Sequence, residues 1–310
     1  MTRAGFTAVI GAPNAGKSTL TNRLVGAKVS IVTQKVQTTR FPVRGVAIEG
    51  EAQIVLVDTP GIFQPRRRLD RAMIRAAWGG AEDADAVVHL IDAAAELAAA
   101  GPGAKPADRR AAEDVATIVE GLKRHGRQAI LALNKIDEVK RDALLDLSRT
   151  LFESGVYSDV FMVSAKTGSG VADLKRTLAA RMPEAPWFYP ADQTADLPAR
   201  LMASEITREK LYLRLHEELP YAATVDTTAF DERPDGSLRI EQTITVQRES
   251  QRPIVLGAGG QTLKWIGQKS REEIGQLLGQ KVHLFLHVAV DEAWADKQEL
   301  YGALGLDFDV

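Results

Sequence analysis

The sequence predicts an α/β domain with a mostly parallel sheet and helices on both faces, followed by a smaller α+β domain. Three observations predict this. Through the first 182 residues, β-branched apolar runs alternate with amphipathic stretches of roughly a dozen residues. Residues 183–198, PEAPWFYPADQTADLP, hold four prolines and no periodicity, and so read as a linker whose WFYP cluster packs on a domain surface. Beyond them the order changes to helix–strand–strand–helix–turn–helix–strand over 199–291, with a closing helix and tail over 292–310.

Composition is consistent with that division. A length of 310 residues favours two domains over one. There is no cysteine, which excludes disulfides and thiolate metal sites and fits the cytosol. No 18-residue apolar run is present, and the opening MTRAGFTAVIGAPNAGKS lacks a signal-peptide pattern. A net charge of −2 confines any nucleic-acid contact to a local patch.

The runs FTAVIGA, QIVLVDT, DAVVHLID, QAILALNKID and DVFMVSA are the expected buried strands. In such sheets ligands bind at the carboxyl ends of strands, and the motifs fall there. After the first strand, Gly11, Ala12, Pro13, Asn14, Ala15, Gly16, Lys17 and Ser18 spell G-x-x-x-x-G-K-S, with Thr19 next. The backbone N–H groups of this loop wrap phosphates, Lys17 reaches the β- and γ-phosphates, and Ser18 offers a hydroxyl to Mg²⁺. In VLVDTPG, Asp58 closes a buried strand, where a carboxylate needs a compensating cation; Thr59 and Pro60 follow, and Gly61 leaves room for an N–H near the γ-phosphate.

AILALNKID selects the base. Asp137 accepts from guanine N1–H and N2–H₂, an array adenine lacks. Asn134 bonds the O6/N7 edge and neighbouring loops, the Lys135 stem covers the base face, and Ile136 lies between. Ser164, Ala165 and Lys166 of SAKTG offer N–H groups to O6. GTP is therefore favoured over ATP, and a metabolic P-loop kinase has no use for NKID and SAK together. AAAELAAAGPGAKPADRR reads as an exposed, mobile insertion around 94–107 with no assignable chemistry.

These four motifs, together with a threonine in QTTR (37–40), resemble the five motifs of translation-factor-type GTPases. That likeness implies a switch I at Gln37, Thr38, Thr39, Arg40 and Phe41, and a switch II at Asp58 to Ile62. Thr39 is chosen over Thr38 for Mg²⁺ because relatives place arginine directly after that threonine. Small signalling GTPases carry a water-orienting glutamine where this chain has Ile62, so slow intrinsic hydrolysis is expected. Asn14 resembles the asparagine that helps hold potassium in cation-activated relatives; a loop-capping asparagine is the alternative.

In the second domain, Leu201, Ile206, Leu211, Leu213 and Leu215 give helical spacing between Pro198 and Pro220. YAATVDTTAFDE and SLRIEQTITVQRE form a hairpin around Arg233-Pro234-Asp235-Gly236, with Ile240, Gln242, Ile244 and Val246 on one face. Then comes a second glycine turn, Gly257-Ala258-Gly259-Gly260. It lacks the third glycine of a dinucleotide fingerprint, and no parallel sheet is expected around it. A plain helix–helix turn is one reading. The other is the GxxG clamp of a KH domain, beside an apolar groove for about four bases. The stretch from Arg248 to Lys281 supports the clamp with six basic residues, among them Arg252, Lys264, Lys269 and Arg271, against three acidic ones.

A GTPase domain followed by a type II KH domain resembles the Era family of bacterial ribosome-assembly GTPases from about residue 5 to 302. KVSIVTQKVQTTR, SEITREKLYLRLHEELPY and VQRESQRPIVLGAGG running into LKWIG are its most specific stretches. The resemblance implies GTP and GDP with Mg²⁺, and potassium as a further cation. It implies binding to the 3′ region of 16S rRNA and a role in 30S maturation, with RNA rather than DNA as the polymer. It also implies a cytoplasmic protein that can associate weakly with the inner membrane, although no amphipathic anchor is visible. Ala258 departs from the family, which usually has a basic residue there, and the 94–107 insertion is longer than expected. A GTPase whose second domain binds other RNA, DNA or protein is the main alternative; a non-catalytic GTP-binding scaffold is another.

Overall fold

A computed structural model describes residues 1–33, 35, 37–215 and 219–310. Its chain packs as two units, Met1–Asp196 with Leu304–Val310, and Leu197–Ala303.

The first unit is built on a seven-stranded sheet in the order β6-β5-β4-β1-β3-β2-β7. Its strands are β1 (Arg3–Ile10), β2 (Val43–Glu49), β3 (Ala52–Asp58), β4 (Ala86–Asp92), β5 (Ala129–Asn134), β6 (Tyr157–Met162) and β7 (Ala195–Asp196). From β3 to β6 the pairing is parallel, while β2 runs antiparallel to β3 and β7 antiparallel to β2. The helices α1 (Lys17–Val25), α2 (Arg68–Asp83), α3 (Ala93–Ala99), α4 (Pro106–Arg124), α5 (Arg141–Phe152) and α6 (Val171–Arg181) complete the unit. Two apolar clusters, one on each face, account for the apolar strand runs: Ile10, Val87, Leu131 and Leu133 point one way, and Val9, Leu56, Leu90 and Ile130 the other.

Sequence reading missed β2. The sequence does hold a glycine there, in Glu49-Gly50-Glu51, and the structure uses it at φ 57 in the turn that pairs β2 with β3. The supposed mobile insertion is also corrected at its start. Residues 93–99 form a helix capped by Asp92, whose side chain accepts from the N–H of Ala95, and Ala93 is fully buried. Alanine's helix propensity outweighs the loop signal of the glycines and proline that follow. In the proline-rich stretch, Gln53 accepts from the N–H groups of Phe188 and Tyr189, and Phe188 stacks on Phe6 at 5.2 Å, so WFYP does pack on a surface. That stretch ends by adding β7 to the sheet edge.

The second unit holds α7 (Ala199–Arg214), β8 (Ala223–Glu232), β9 (Leu238–Val246), α8 (Arg252–Leu256), α9 (Gln261–Leu278), β10 (Val282–Val290) and most of α10 (Gln298–Leu304). The β8–β9 turn is as expected: Gly236 takes φ 75, and Asp235 accepts from the backbone and hydroxyl of Ser237. Every second residue of β9 is buried, Gln242 included, which Thr207 and Thr227 satisfy. Leu213 corrects the helical stripe, being 53% exposed, whereas Ile206 and Leu211 are fully buried. The expected helix ran to Pro220; α7 stops at Arg214, and residues 216–218 of that stretch lie outside the described residues.

One expectation about the glycine turn is overturned. A parallel pair does surround it: β10 runs parallel to β9 in register Val282↔Leu238 to Val290↔Val246. Parallel neighbours need a crossover, and α8, the turn and α9 are that crossover.

Candidate functional site

The phosphate loop is held open by close packing from below. A Cβ at Gly11 would lie 2.4 Å from the Leu90 carbonyl oxygen, and one at Gly16 would lie 2.3 Å from Asn134 Nδ2, with Gly16 at φ 99. Ala12 and Ala15 are buried, Pro13 and Thr19 half-buried, and Asn14 is exposed at φ 63, a conformation asparagine tolerates. Gly16 caps α1 without a side chain, leaving first-turn N–H groups for an anion. Lys17 Nζ folds into the loop, donating to the carbonyls of Gly11 (3.0 Å) and Ala12 (2.8 Å). Burial pulls its pKa down to about 8, against the opposing charges of Asp58 and Asp114.

Three oxygen-bearing side chains converge beside it. Asp58 is fully buried, its Oδ1 has no hydrogen-bond partner among the described residues, and burial raises its pKa. Ser18 Oγ and Thr39 Oγ1 are 2.9 Å apart, and Thr39 Oγ1 donates to Asp58 Oδ2 at 3.5 Å. An orphaned carboxylate oxygen with two hydroxyls is a hard donor set that fits Mg²⁺. The structure turns Thr38 away: its hydroxyl donates to the Lys35 carbonyl and lies 2.6 Å from that of Thr33. Gln37 donates to Asp70 at 3.3 Å, while Arg40 and Phe41 are buried.

Switch II presses on the loop. Thr59 donates to the Val9 carbonyl, Pro60 follows, and a Cβ at Gly61 would meet Pro13 at 2.9–3.1 Å. The Ile62 N–H donates to the Gly11 carbonyl, and its side chain is 1% exposed within the cluster of Ile10 and Ala77. That side chain is core, with no face toward a water.

The NKID and SAK loops are tied to the GAPNAGKS loop by Asn134. Its Nδ2 donates to the Ala15 carbonyl at 2.7 Å and its Oδ1 accepts from the N–H of Ala165 at 2.9 Å. The neighbouring-loop half of its expected role thus describes these bonds. Lys135 sits at φ 63 and pairs with Asp92; Ile136 packs against the core. Asp137 is exposed, with a pKa lowered chiefly by a hydrogen bond from the buried Ser164 hydroxyl. Arg23 was invisible from sequence: from the last turn of α1 it donates to the carbonyls of Ala165 and Lys166. Asp92 was also missed, though it ends a buried strand just as Asp58 does.

The second glycine turn has a different environment. Gly257, Gly259 and Gly260 all have positive φ (73, 58 and 76). A Cβ at Gly257 would strike Thr262 at 2.3 Å, but at Gly259 and Gly260 nothing lies within 4 Å. Ala258 and Gly259 are exposed. The turn opens onto a groove of about 400 Å³ between α9 and β10, lined by Gly260, Leu263, Lys264, Gly267, Gln268, Arg271, Leu284 and Leu286. Lys264 and Arg271 therefore edge the groove. Lys269 is exposed and pairs with Glu272 at 2.8 Å, while Arg248 and Arg252 are exposed at the start of the crossover and do not line it.

Comparison with known proteins agrees with this geometry. Residues 6–135 match the family described as 50S ribosome-binding GTPase, and residues 218–295 match the KH domain family. The chain is 71% identical over 309 residues to GTPase Era of Caulobacter vibrioides, covering 100% of this chain and 98% of that one. It is 60% identical to GTPase Era of Maricaulis maris, over 99% and 98% of the two chains. Among solved structures, a variant of Aquifex aeolicus Era bound to GDP and AlF₄⁻ superposes with a TM-score of 0.86 at 34% identity, covering 98% of this chain and 99% of that one. An Era complex with MgGDPNP and nucleotides 1506–1542 of 16S ribosomal RNA gives 0.87 at 33% identity, with the same coverage. With its phosphate loop, its guanine motifs and a KH domain in one chain, this protein belongs to the Era family of GTPases.

Proposed function

We propose that the protein is a GTP-driven switch that grips single-stranded RNA at the 3′ end of 16S rRNA and assists maturation of the 30S subunit. One observation carries the reading: a buried phosphate site and an open GxxG turn over a groove lie in a single chain. The solved Era complex holding 16S nucleotides 1506–1542 supports the choice of RNA.

In this reading the backbone N–H groups of residues 11–19 and the Lys17 ammonium hold the β- and γ-phosphates, and Gly61 lets switch II approach. Ser18, Thr39 and Asp58 would hold Mg²⁺, which neutralises phosphate charge when bound. Asn134, Lys135, Ile136, Asp137, Ser164, Ala165 and Lys166 form the guanine pocket. With Ile62 locked in the core, this chain positions no water through that side chain, and intrinsic hydrolysis is slow. Asn14, exposed at the loop's outer edge, is where a potassium ion would supply charge; equal hydrolysis rates in potassium and sodium buffers would remove that part.

Gly257, Ala258, Gly259 and Gly260 would clamp the RNA backbone, with Lys264 and Arg271 at the groove and Lys269, Arg248 and Arg252 as outlying charges. Ala258 offers no cation where the family usually has one. Ordering of the switches by GTP would couple to RNA affinity, reciprocally. This work belongs in the cytoplasm. Any contact with the inner membrane would be peripheral, since no helix among the described residues is long and apolar enough to cross one.

The test is cross-linking to total RNA with sequencing, comparing wild type with Gly259→Asp. The expected result is recovery of the 16S 3′ end by wild type and its loss in the variant, with GTP binding intact. Recovery of unrelated RNA, or of DNA in a competition arm, would overturn the assignment.

A further inference from the structure

Between Arg66 and Arg75 the chain carries five arginines (66, 67, 68, 71 and 75) and one acid, Asp70. Asp70 is occupied locally. Its Oδ2 accepts from the N–H groups of Arg66 and Arg67 at 3.0 Å each, and its Oδ1 accepts from Gln37. Arg66, Arg67, Arg71 and Arg75 are exposed, and Arg68 is half-buried. Among the described residues no aspartate or glutamate side chain pairs with Arg66, Arg67, Arg68 or Arg71, whereas Arg75 pairs with Asp307 at 3.4 Å. In a chain of net charge −2 this is a concentrated cationic face, and it begins four residues after switch II.

The closing segment, Leu304–Val310, packs with this same unit and lies on that face. Arg68 sits 4.5 Å over the Phe308 ring, Arg71 Nε donates to a backbone oxygen of the last residue, Val310, at 3.3 Å, and Arg75 donates to the Asp309 carbonyl at 3.2 Å. Leu306 is buried. The segment thus presents an aromatic ring, two backbone oxygens and the Asp307 carboxylate to three guanidiniums. Stacked bases and backbone phosphates of an RNA strand would present the same chemistry. The Arg75–Asp307 pair is 62% and 57% exposed, and an exposed pair of that kind holds weakly. A polymer offering several phosphates, and releasing counterions as it binds, would displace it.

We propose that the arginine cluster of residues 66–75, at and just before the start of α2, is a second contact for RNA phosphates, and that Leu304–Val310 is a built-in competitor covering it in cis. The proposal rests on the RNA-binding reading above, but concerns a different unit from the glycine clamp. Binding of RNA there would exchange one anionic occupant for another on the helix that follows switch II. The tail would set a threshold that only a strand with enough phosphates crosses.

The test measures fluorescence anisotropy of a labelled RNA carrying the 16S nucleotides 1506–1542. It compares the full chain, a chain ending at Gly305, each of these with Arg67→Ala and Arg71→Ala together, and Gly259→Asp in both lengths. Truncation is expected to tighten binding about 3- to 10-fold at low salt. It should steepen the log–log salt dependence by about 1.4, the value for two added phosphates on a single strand. The paired arginine substitutions should abolish that gain. Should truncation disturb folding, Asp307→Asn with Asp309→Asn in the full chain should tighten binding about 2- to 3-fold. Unchanged affinity and salt dependence on truncation, or a gain that survives loss of Arg67 and Arg71, would overturn the proposal. So would saturable rebinding of the peptide Gly-Leu-Asp-Phe-Asp-Val to the truncated chain without competition from RNA, which would point to an acidic protein partner. Gly259→Asp separates the two ideas: it should weaken both lengths but keep their ratio. If it leaves the affinity intact, the clamp reading fails while the tail effect stands.

Discussion

The two glycine turns of this protein look alike in sequence and are opposite in construction. At Gly11 and Gly16 an added Cβ would collide with the Leu90 carbonyl and the Asn134 amide. At Gly259 and Gly260 it would meet nothing within 4 Å. The first turn needs glycine because protein closes in beneath it, fixing the N–H groups for a small, highly charged ligand. The second needs glycine for its left-handed backbone and for the room it leaves outside, where a polymer can press. Gly257 is the exception, wedged against Thr262 of the helix that follows. Glycine content alone does not separate a rigid cradle from an open grip; what lies under the missing side chain does.

The contrast is broken most directly by adding the methyl group. Gly16→Ala is expected to cost at least about 5 kcal/mol of unfolding free energy, because strain at φ 99 adds to a clash with a buried amide, and to abolish GTP binding. Gly259→Ala should cost only about 1–2 kcal/mol. Chemical denaturation of both variants checks this; equal losses would erase the distinction.

The scaffold beneath the first turn also carries buried ionisable groups. His89, on β4, is fully buried, with Nδ1 2.8 Å from the Tyr157 hydroxyl, and burial pulls its pKa from 6.5 to about 3. The unfolded chain therefore binds the extra proton between those values. This residue's share of stability is intact above pH 6.5 and falls by up to about 4–5 kcal/mol as pH drops to 3. His89→Gln should flatten that part of the pH–stability curve; an unchanged slope would exclude His89 as its source.

Lys17 repeats that sign in an alkaline window. Its folded pKa of about 8 lies below its ordinary 10.5, so keeping it charged costs stability below pH 8. The nucleotide-free protein should gain up to about 3 kcal/mol as pH rises from 8 to 10.5, while GTP affinity falls over that range as the cation is lost. Lys17→Met should remove both trends in paired denaturation and nucleotide titrations.

The smallest energetic effect is expected at the open turn. Gly259→Asp should lower RNA affinity at least about 10-fold, roughly 1.4 kcal/mol, with GTP affinity unchanged. A parallel loss of GTP binding would mean that the second turn is scaffold after all.

Sequence alone determined the chemistry that is local along the chain. GAPNAGKS, DTPG, NKID and SAK are contiguous runs that lie at strand ends, and the alternation Ile240, Gln242, Ile244 declared the buried face of β9 because a strand's period is two. Tertiary structure decided whatever depends on residues far apart meeting. It brought Thr39 rather than Thr38 to Ser18 and Asp58, and locked Ile62 in the core. It joined Asn134 to Ala15 across 119 positions and laid β10 parallel to β9. It also set Val310 against Arg71, 239 positions away. No local pattern encodes such pairings, because hydrophobic burial is non-directional and partners are chosen only when whole elements pack.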